Sequence, residues 1–363
     1  MATIDVLLPV RNGIAYLGAS LDSLGSQTFK DWRALVLDHG STDGSFELAV
    51  RYSERDPRFQ VVSFPQAAGL TGLLNQGLEL ADCRYLLRHD ADDICYPHRM
   101  ETTLRAFREM PSCAAIGGQA DVIDGQGVSL GSMTLPIAPA RVAASSFFRN
   151  PVAHPAATFD FAALRQLGIR YGVDFLRVLP EPQRMQVDGL AEDYFLFGQL
   201  AQLQRCANVP QSLIQYRWHG GNVGATKYRE QMLMSLRISR NLAASFCMRE
   251  GLPAFDPAPF CNLGDTLFAI DGAQDFGVEF ERMSAALRRG FGSNDEVERE
   301  IDYRRVVSTR NDVRLMWRYL RFSRRHAADS GERKAIRSWM MRHLSGRDQI
   351  RVSHMQVDAR ETP

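Results

Sequence analysis

Through its first ninety residues the chain alternates short apolar runs with stretches at helical spacing. Residues 4–10 read as a buried strand stopped by Pro9 and the polar Arg11-Asn12-Gly13. Leu17, Leu21 and Leu24 then recur on one helical face. Residues 32–37 and 59–64 read as second and third strands, with a capped helix between them after Asp38-His39-Gly40-Ser41-Thr42-Asp43. A glycine-spaced helix over 70–80 leads to an apolar run, Tyr85-Leu86-Leu87, that ends in Asp90-Ala91-Asp92-Asp93. Such βα alternation predicts a parallel sheet with helices on both faces. Further on, the pattern predicts a helix over 97–109, a strand over 114–122 and a loop rich in Pro and Ala. A helix over 192–206 and a short strand over 213–217 follow. Beyond about Thr226 the chain reads as helical, with a break over 251–259 and a frayed tail over the last dozen residues.

Composition narrows the class. At 363 residues, 45% hydrophobic and 23% charged, the chain is an ordinary globular protein with room for a large domain and a smaller one. A net charge of +1 gives no global pull toward nucleic acid, and none is expected as a partner. Charge is nonetheless uneven: residues 304–351 hold 14 Lys or Arg against 4 Asp or Glu. The six cysteines form no CxxC pair and no zinc spacing, so reduced thiols and a cytoplasmic setting are expected. The first residues lack a basic region followed by an apolar core, so no signal peptide is expected; nor does any apolar stretch reach the roughly 20 residues needed to span a bilayer.

The candidate chemistry starts at Asp90-Ala91-Asp92-Asp93. Three carboxylates in four residues repel one another unless something positive joins them. Oxygen donors of this kind suit Mg²⁺ or Mn²⁺ shared with phosphates, at the strand ends where open α/β sheets bind ligands. A solvated Asp-rich turn is the plain alternative. Likewise, Asp38 to Asp43 reads either as a ligand-facing turn or as a helix-capping one, and Glu192-Asp193 either as catalytic carboxylates or as a charged first helical turn.

Pro9-Val10-Arg11-Asn12, Asp38-His39-Gly40-Ser41-Thr42-Asp43 and Arg88-His89-Asp90-Ala91-Asp92-Asp93, with Pro97 and Arg99 after them, resemble the nucleotide-binding half of the family 2 glycosyltransferases. Asn150-Pro151 with His154-Pro155, then Glu192-Asp193-Tyr194, then Tyr216-Arg217-Trp218-His219 continue that order, so the resemblance covers about residues 3–226. It implies an inverting, metal-dependent enzyme with the GT-A fold. A GT-A domain over 1–226 would divide into a nucleotide-binding half to about 110 and an acceptor half from about 111. A helical region over 227–363, basic from about 304, would follow.

The resemblance marks Pro9, Val10, Arg11, Asn12, Asp38, His39, Arg88, Asp90 and Ala91 as nucleotide-sugar contacts, with Asp90 on the ribose. It implies Asp92 as a ligand of a divalent cation, Mn²⁺ or Mg²⁺, with Asp93 in support and His219 near the metal or diphosphate. Asp193, less so Glu192, would be the general base, and His154 would lie on the acceptor side. Two departures stand out: His39 replaces a second aspartate in its turn, and Arg11-Asn12 replaces the aromatic or threonine of many relatives.

The implied reaction moves a sugar from a nucleoside diphosphate sugar, a UDP-sugar first, to a saccharide or lipid-linked saccharide acceptor in bacterial surface polysaccharide or lipopolysaccharide synthesis. A catalytically inactive nucleotide-sugar-binding scaffold and a metal-dependent nucleotide phosphohydrolase are the alternatives. Finally, Arg314, Arg318, Arg321 and Arg325 recur at helical spacing beside Leu315, Tyr319 and Phe322. That pattern fits either a packed C-terminal helix or peripheral contact with an anionic membrane face.

Overall fold

A computed structural model describes residues 2–222, 226–261, 276–309 and 312–326, together with 333, 336, 337, 340 and 341. The expected frayed tail over the last dozen residues lies outside them. In chain order the first half contains β1 (Ile4–Val10), α1 (Ile14–Gly25), β2 (Trp32–Asp38), α2 (Ser45–Arg55), β3 (Phe59–Ser63), α3 (Gly69–Leu80), β4 (Tyr85–Arg88), β5 (Ile94–Cys95), α4 (Arg99–Glu109) and β6 (Ala115–Ile123). It continues with β7 (Ser129–Met133), α5 (Pro139–Ser145), β8 (Thr158–Asp160), α6 (Phe161–Gln166), α7 (Glu192–Gln202) and β9 (Cys206–Arg217). The helices α8 (Tyr228–Glu250), α9 (Gly277–Phe291), α10 (Asp295–Val307) and α11 (Asp312–Arg325) come last.

Among the described residues one sheet gathers nine strands in the order β3-β2-β1-β4-β8-β6-β9-β5, with β7 on the side of β6. The β3-β2-β1-β4 part is parallel, as the alternation predicts. Every residue of β1 is buried, because strands flank it on both edges and helices cover both faces. The strand runs through Pro9, which sits opposite Leu37 one residue from the end, where one missing N–H is tolerated. Beyond β4 the sheet is mixed: β8 is antiparallel to β4 and β6, while β9 is parallel to β6 and antiparallel to β5.

Several elements of the second half depart from the sequence expectation. The loop rich in Pro and Ala contains β7 and α5. The helix expected over 192–206 stops at Gln202, and Cys206 already opens β9. That strand is twelve residues long rather than five, because its first residues are buried beside β6 and carry no alternation to read.

Core packing explains why the C-terminal helices belong to this fold. Phe147, which follows α5, packs on Phe246 of α8 and Phe291 of α9 with ring centroids 5.1 and 6.1 Å away. On α7, Gly198 admits Leu242 of α8; a Cβ there would lie 2.3 Å from Leu242 Cδ1. Buried Glu300 of α10 pairs with Arg141 of α5 at 3.3 Å and Arg304 at 2.5 Å. The helices thus share a core with α5 and α7, and Phe246→Ala would destabilise the chain by about 3–5 kcal/mol.

Candidate active site

The acidic motif lies between β4 and β5. Because β5 pairs with β9, with Ile94 opposite Gln215, the motif meets the end of β9 and the Tyr216-Arg217-Trp218-His219 stretch. Arg217 fastens the two together. Its backbone N–H donates to Asp93 Oδ1 at 2.8 Å, and its side chain donates to Asp92 O at 2.9 Å and Asp124 O at 3.1 Å. The guanidinium also covers the Tyr16 ring of α1 at 4.7 Å, and that ring lies 5.0 Å from His219.

Asp90, Asp92 and Asp93 can each offer an oxygen, all within 4.8 Å of one another. Arg88, buried at the end of β4, pairs with Asp90 at 2.5 Å. Burial, then Asp90, raises the Asp92 pKa, against a hydrogen bond from His219. Burial raises Asp93 further, with Asp90 and Asp92 adding to it. Buried Asp93 Oδ2 has no hydrogen-bond partner among the described residues. Three crowded carboxylates with an orphaned buried oxygen form a donor set that suits a hard divalent cation.

His219 stands behind this cluster. Gly221 N–H donates to its Nδ1 at 3.1 Å, which leaves Nε2 to donate to Asp92 Oδ2 at 3.0 Å. That geometry makes His219 a support that orients Asp92. Arg99 is buried beneath the motif and donates to Arg88 O at 2.6 Å. It also donates to Nδ1 of buried His89, whose pKa lies well below its usual value through burial and the charges of Arg99 and Arg88.

The turn after β2 is held by its own polar groups. Asp38, 2% exposed, accepts from Gly40 N at 3.0 Å, Ser41 N at 3.2 Å and Ser63 Oγ at 3.3 Å. Asn12, at φ 52°, donates its backbone N–H to Ser41 Oγ and accepts from Thr42 N at 2.8 Å, so the loops after β1 and β2 are stitched together. His39 Nε2 meets Ala67 O at 2.9 Å. Pro9 and Val10 are buried in β1, Arg11 is exposed and Ala91 is half-buried between the aspartates. Helix α2 starts only at Ser45, behind Gly44 and with no side-chain cap, so Asp38 holds its own turn and does not cap the helix.

The helix α7 begins after Ala191, a non-glycine residue in the left-handed region at φ 63°. This sharp entry sets Glu192 and Asp193 in the first helical turn, where the dipole favours an anion. Asn150 donates its side-chain N–H to Asp193 Oδ2 at 2.7 Å. Burial, then Asp193, pushes Glu192 up to about 8. Burial also raises Asp193, against the Tyr194 N–H and its helical position, with the Asp90 charge raising it and the Arg88 charge lowering it. The charges of Asp90, Asp92, Asp93 and Asp193 all reach the Tyr216 hydroxyl, whose pKa burial already raises. Asp193 thus lies near enough to Asp90 and Arg88 to feel their charges, although a hundred residues of sequence separate it from the acidic motif.

Tyr171, not singled out by sequence, also belongs here. It feels Arg88, Glu192, Asp193 and Asp90, and its hydroxyl meets His154 Nε2 at 3.0 Å. Its position rests on Gly172 at φ 80°, where a Cβ would lie 2.3 Å from Val187 O. His154 is buried behind Tyr171 and is not among the residues lining the cavity beside Asp193. That cavity, about 260 Å³, lies between the start of α7 and the face of α8.

Residues 5–159 match the family model described as glycosyl transferase family 2. Those residues form a glycosyl transferase family 2 domain. The chain is 23% identical over 257 residues to an uncharacterized glycosyltransferase of Haemophilus influenzae, covering 69% of this chain and 76% of that one. It is 28% identical over 137 residues to the putative glycosyltransferase EpsE of Bacillus subtilis, covering 38% and 49%. Among solved structures, S. aureus TarS 1-349 in complex with UDP-GlcNAc superposes with a TM-score of 0.51 at 17% identity, covering 95% of this chain and 92% of that one. The fold is GT-A, followed by a helical C-terminal region.

Proposed function

We propose that this glycosyltransferase moves a sugar from a nucleoside diphosphate sugar to a hydroxyl acceptor with inversion, Asp193 acting as general base. The nearness of Asp193 to the acidic motif, whose charges it shares at Tyr216, carries this reading. In the step, the acceptor oxygen bonds to the anomeric carbon while its proton passes to Asp193 Oδ. The bond from that carbon to the phosphate oxygen breaks, and the nucleoside diphosphate leaves with the electron pair. One carboxylate suffices because no covalent intermediate forms. Glu192, pushed up to about 8 by burial and the Asp193 charge, is the less suited of the two to take a proton at neutral pH.

Asp92 and Asp93 would hold a divalent cation, Mn²⁺ or Mg²⁺, with Asp90 toward the ribose and His219 orienting Asp92. Such a cation neutralises charge on a departing diphosphate. Arg88 fixes Asp90, and the stitched loops of Asn12 and Asp38 present their backbone toward the base. A UDP-sugar carrying a hexosyl or N-acetylhexosaminyl group is the first donor to try, and the solved complex of S. aureus TarS with UDP-GlcNAc shares the fold. A saccharide or lipid-linked saccharide of bacterial surface polysaccharide synthesis is the acceptor class that the family resemblance favours.

Incubation with a panel of sugar nucleotides and Mn²⁺, with and without acceptors, tests this. Acceptor-dependent release of nucleotide supports transfer. Release at full rate without acceptor would make the protein a phosphohydrolase, and binding without release would make it a scaffold.

We further propose a cytoplasmic protein working at the inner membrane face. No helix of the described residues is long and apolar enough to cross a membrane. Of the apolar residues set beside the arginines, Leu315 and Phe322 pack inward against Val306, Ile336 and Met340, with Tyr319 against them, as the packed-helix alternative holds. A second stripe on α11 is open: Val313 is 80%, Met316 42%, Trp317 60% and Leu320 46% exposed. Its spacing of i, i+3, i+4 and i+7 makes one helical face, and Arg314, Arg321 and Arg324 are exposed on the same helix.

A further inference from the structure

The cavity beside Asp193 has a cationic wall that donor chemistry does not use. Arg149 lines it together with Asn150 and Asp193, while Met232, Ser235 and Leu236 of α8 form the facing side. The Arg149 Nε is wholly removed from solvent and makes no hydrogen bond to any described residue. The acid whose charge most favours it, Glu300, is already engaged by Arg141 and Arg304. Three arginines therefore share one carboxylate in the interior, which leaves positive charge uncompensated next to an open space. Burial and the charges of Arg304 and Arg141 lower the Arg149 pKa, so an anion brought beside it relieves both effects.

The space matches such a guest. About 260 Å³ is roughly nine water volumes, room for a polyol or sugar unit bearing one anionic group. A half-buried guanidinium with an unpartnered Nε can recognise phosphate or carboxylate by paired N–H donors. Asp193 on the same wall lies where a neighbouring hydroxyl of that guest would need its proton removed.

We propose that this cavity is the acceptor subsite and that it selects an acceptor carrying a phosphate or carboxylate, held by Arg149 with its hydroxyl toward Asp193. The inference rests on Asp193 being the base, but the anion site can be tested apart from transfer.

Equilibrium dialysis of labelled inorganic phosphate against the full chain, with UDP and Mg²⁺ saturating the donor side, reads it directly. Wild type should bind phosphate. Arg149→Gln should weaken it about tenfold or more, with UDP affinity and melting temperature held. Ser235→Glu, which adds a carboxylate to the facing wall without touching the buried arginines, should do the same. Competition by glycerol 3-phosphate, glucuronate and neutral glycerol separates the two anion classes; displacement by either anion and not by glycerol supports the site. Absence of phosphate binding in wild type, or equal binding in both variants, overturns it. Variant-sensitive phosphate binding in a chain that fails to hold UDP would support the site while sinking the donor reading.

Discussion

Asn150 donates its side-chain N–H to Asp193 Oδ2 at 2.7 Å, fixing one carboxylate oxygen. The partner comes from the Asn150-Pro151 turn, itself tied down where Asn208 Nδ2 donates to Pro151 O at 3.0 Å. If Asp193 is the base, as proposed, this bond holds its orientation before the acceptor arrives. Asp193→Asn should therefore lower kcat by about 10²–10⁴-fold while leaving donor affinity nearly unchanged, because a base acts mainly in the transition state. Single-turnover kinetics beside nucleotide titration checks it; a large loss of donor affinity would refute the assignment.

Asn150→Ala removes the orienting hydrogen bond without removing the base. We expect kcat to fall roughly tenfold with the KM for donor unchanged. The bond favours the ionised form, so its loss should shift the acid limb of the pH–rate profile to higher pH. A drop in activity with no shift of that limb would mark a purely structural role.

Glu192 gives a stability prediction with a definite sign. Its pKa is raised from the ordinary 4.5 to about 8 by burial and Asp193. The folded state thus holds a proton that the unfolded state releases, and stability falls as pH climbs from about 4.5 to 8. Glu192→Gln removes this penalty, on the order of 2–4 kcal/mol at pH 8. Thermal melts should show the variant more stable than wild type at pH 8 and nearly equal at pH 5. Equal differences at both pH values would mean that Glu192 is ionised in the fold.

The contrast between Glu192 and Tyr171 shows what sequence could and could not disclose. The first four strands were legible because each is a short apolar run closed by polar turn residues, and β1 stays apolar on both faces because both are covered. The acidic motif stood out because like charges crowd together. Tyr171 left no such mark: it enters the site through a left-handed Gly172 and contacts with Asn75, ninety-six residues away in sequence. Arg149 was equally silent, since its meaning depends on Glu300 being taken by two other arginines. Strand β5, only two residues long, has no periodicity to read, yet it brings His219 to Asp92.

His219 supports Asp92 from behind, so the two should not be equivalent. Asp92→Ala should weaken cation-dependent nucleotide binding strongly, through loss of a charged ligand. His219→Ala should weaken it roughly 10–100-fold, the usual effect of an outer partner. Titration of Mn²⁺ with UDP present separates them. An effect of His219→Ala as large as that of Asp92→Ala would make the imidazole a direct ligand instead.

The open face of α11 yields the last prediction. Trp317, Met316, Leu320 and Val313 line one side, and the Arg321 guanidinium lies 5.6 Å from the Trp317 ring. Aromatic and basic groups together suit an anionic lipid interface, where each nearby arginine contributes about 1 kcal/mol. The protein should float with vesicles containing phosphatidylglycerol at low salt, bind neutral phosphatidylcholine weakly, and come off as salt shortens the screening length. Burying Trp317 fully would contribute about 1.5–3 kcal/mol, so Trp317→Ala should reduce partitioning roughly tenfold or more. Turnover on a water-soluble acceptor should be unchanged, since α11 is remote from Asp193 in the chain and shares no residue with its cavity. Absence of flotation with anionic vesicles at low salt would remove the membrane role and leave the transfer chemistry untouched.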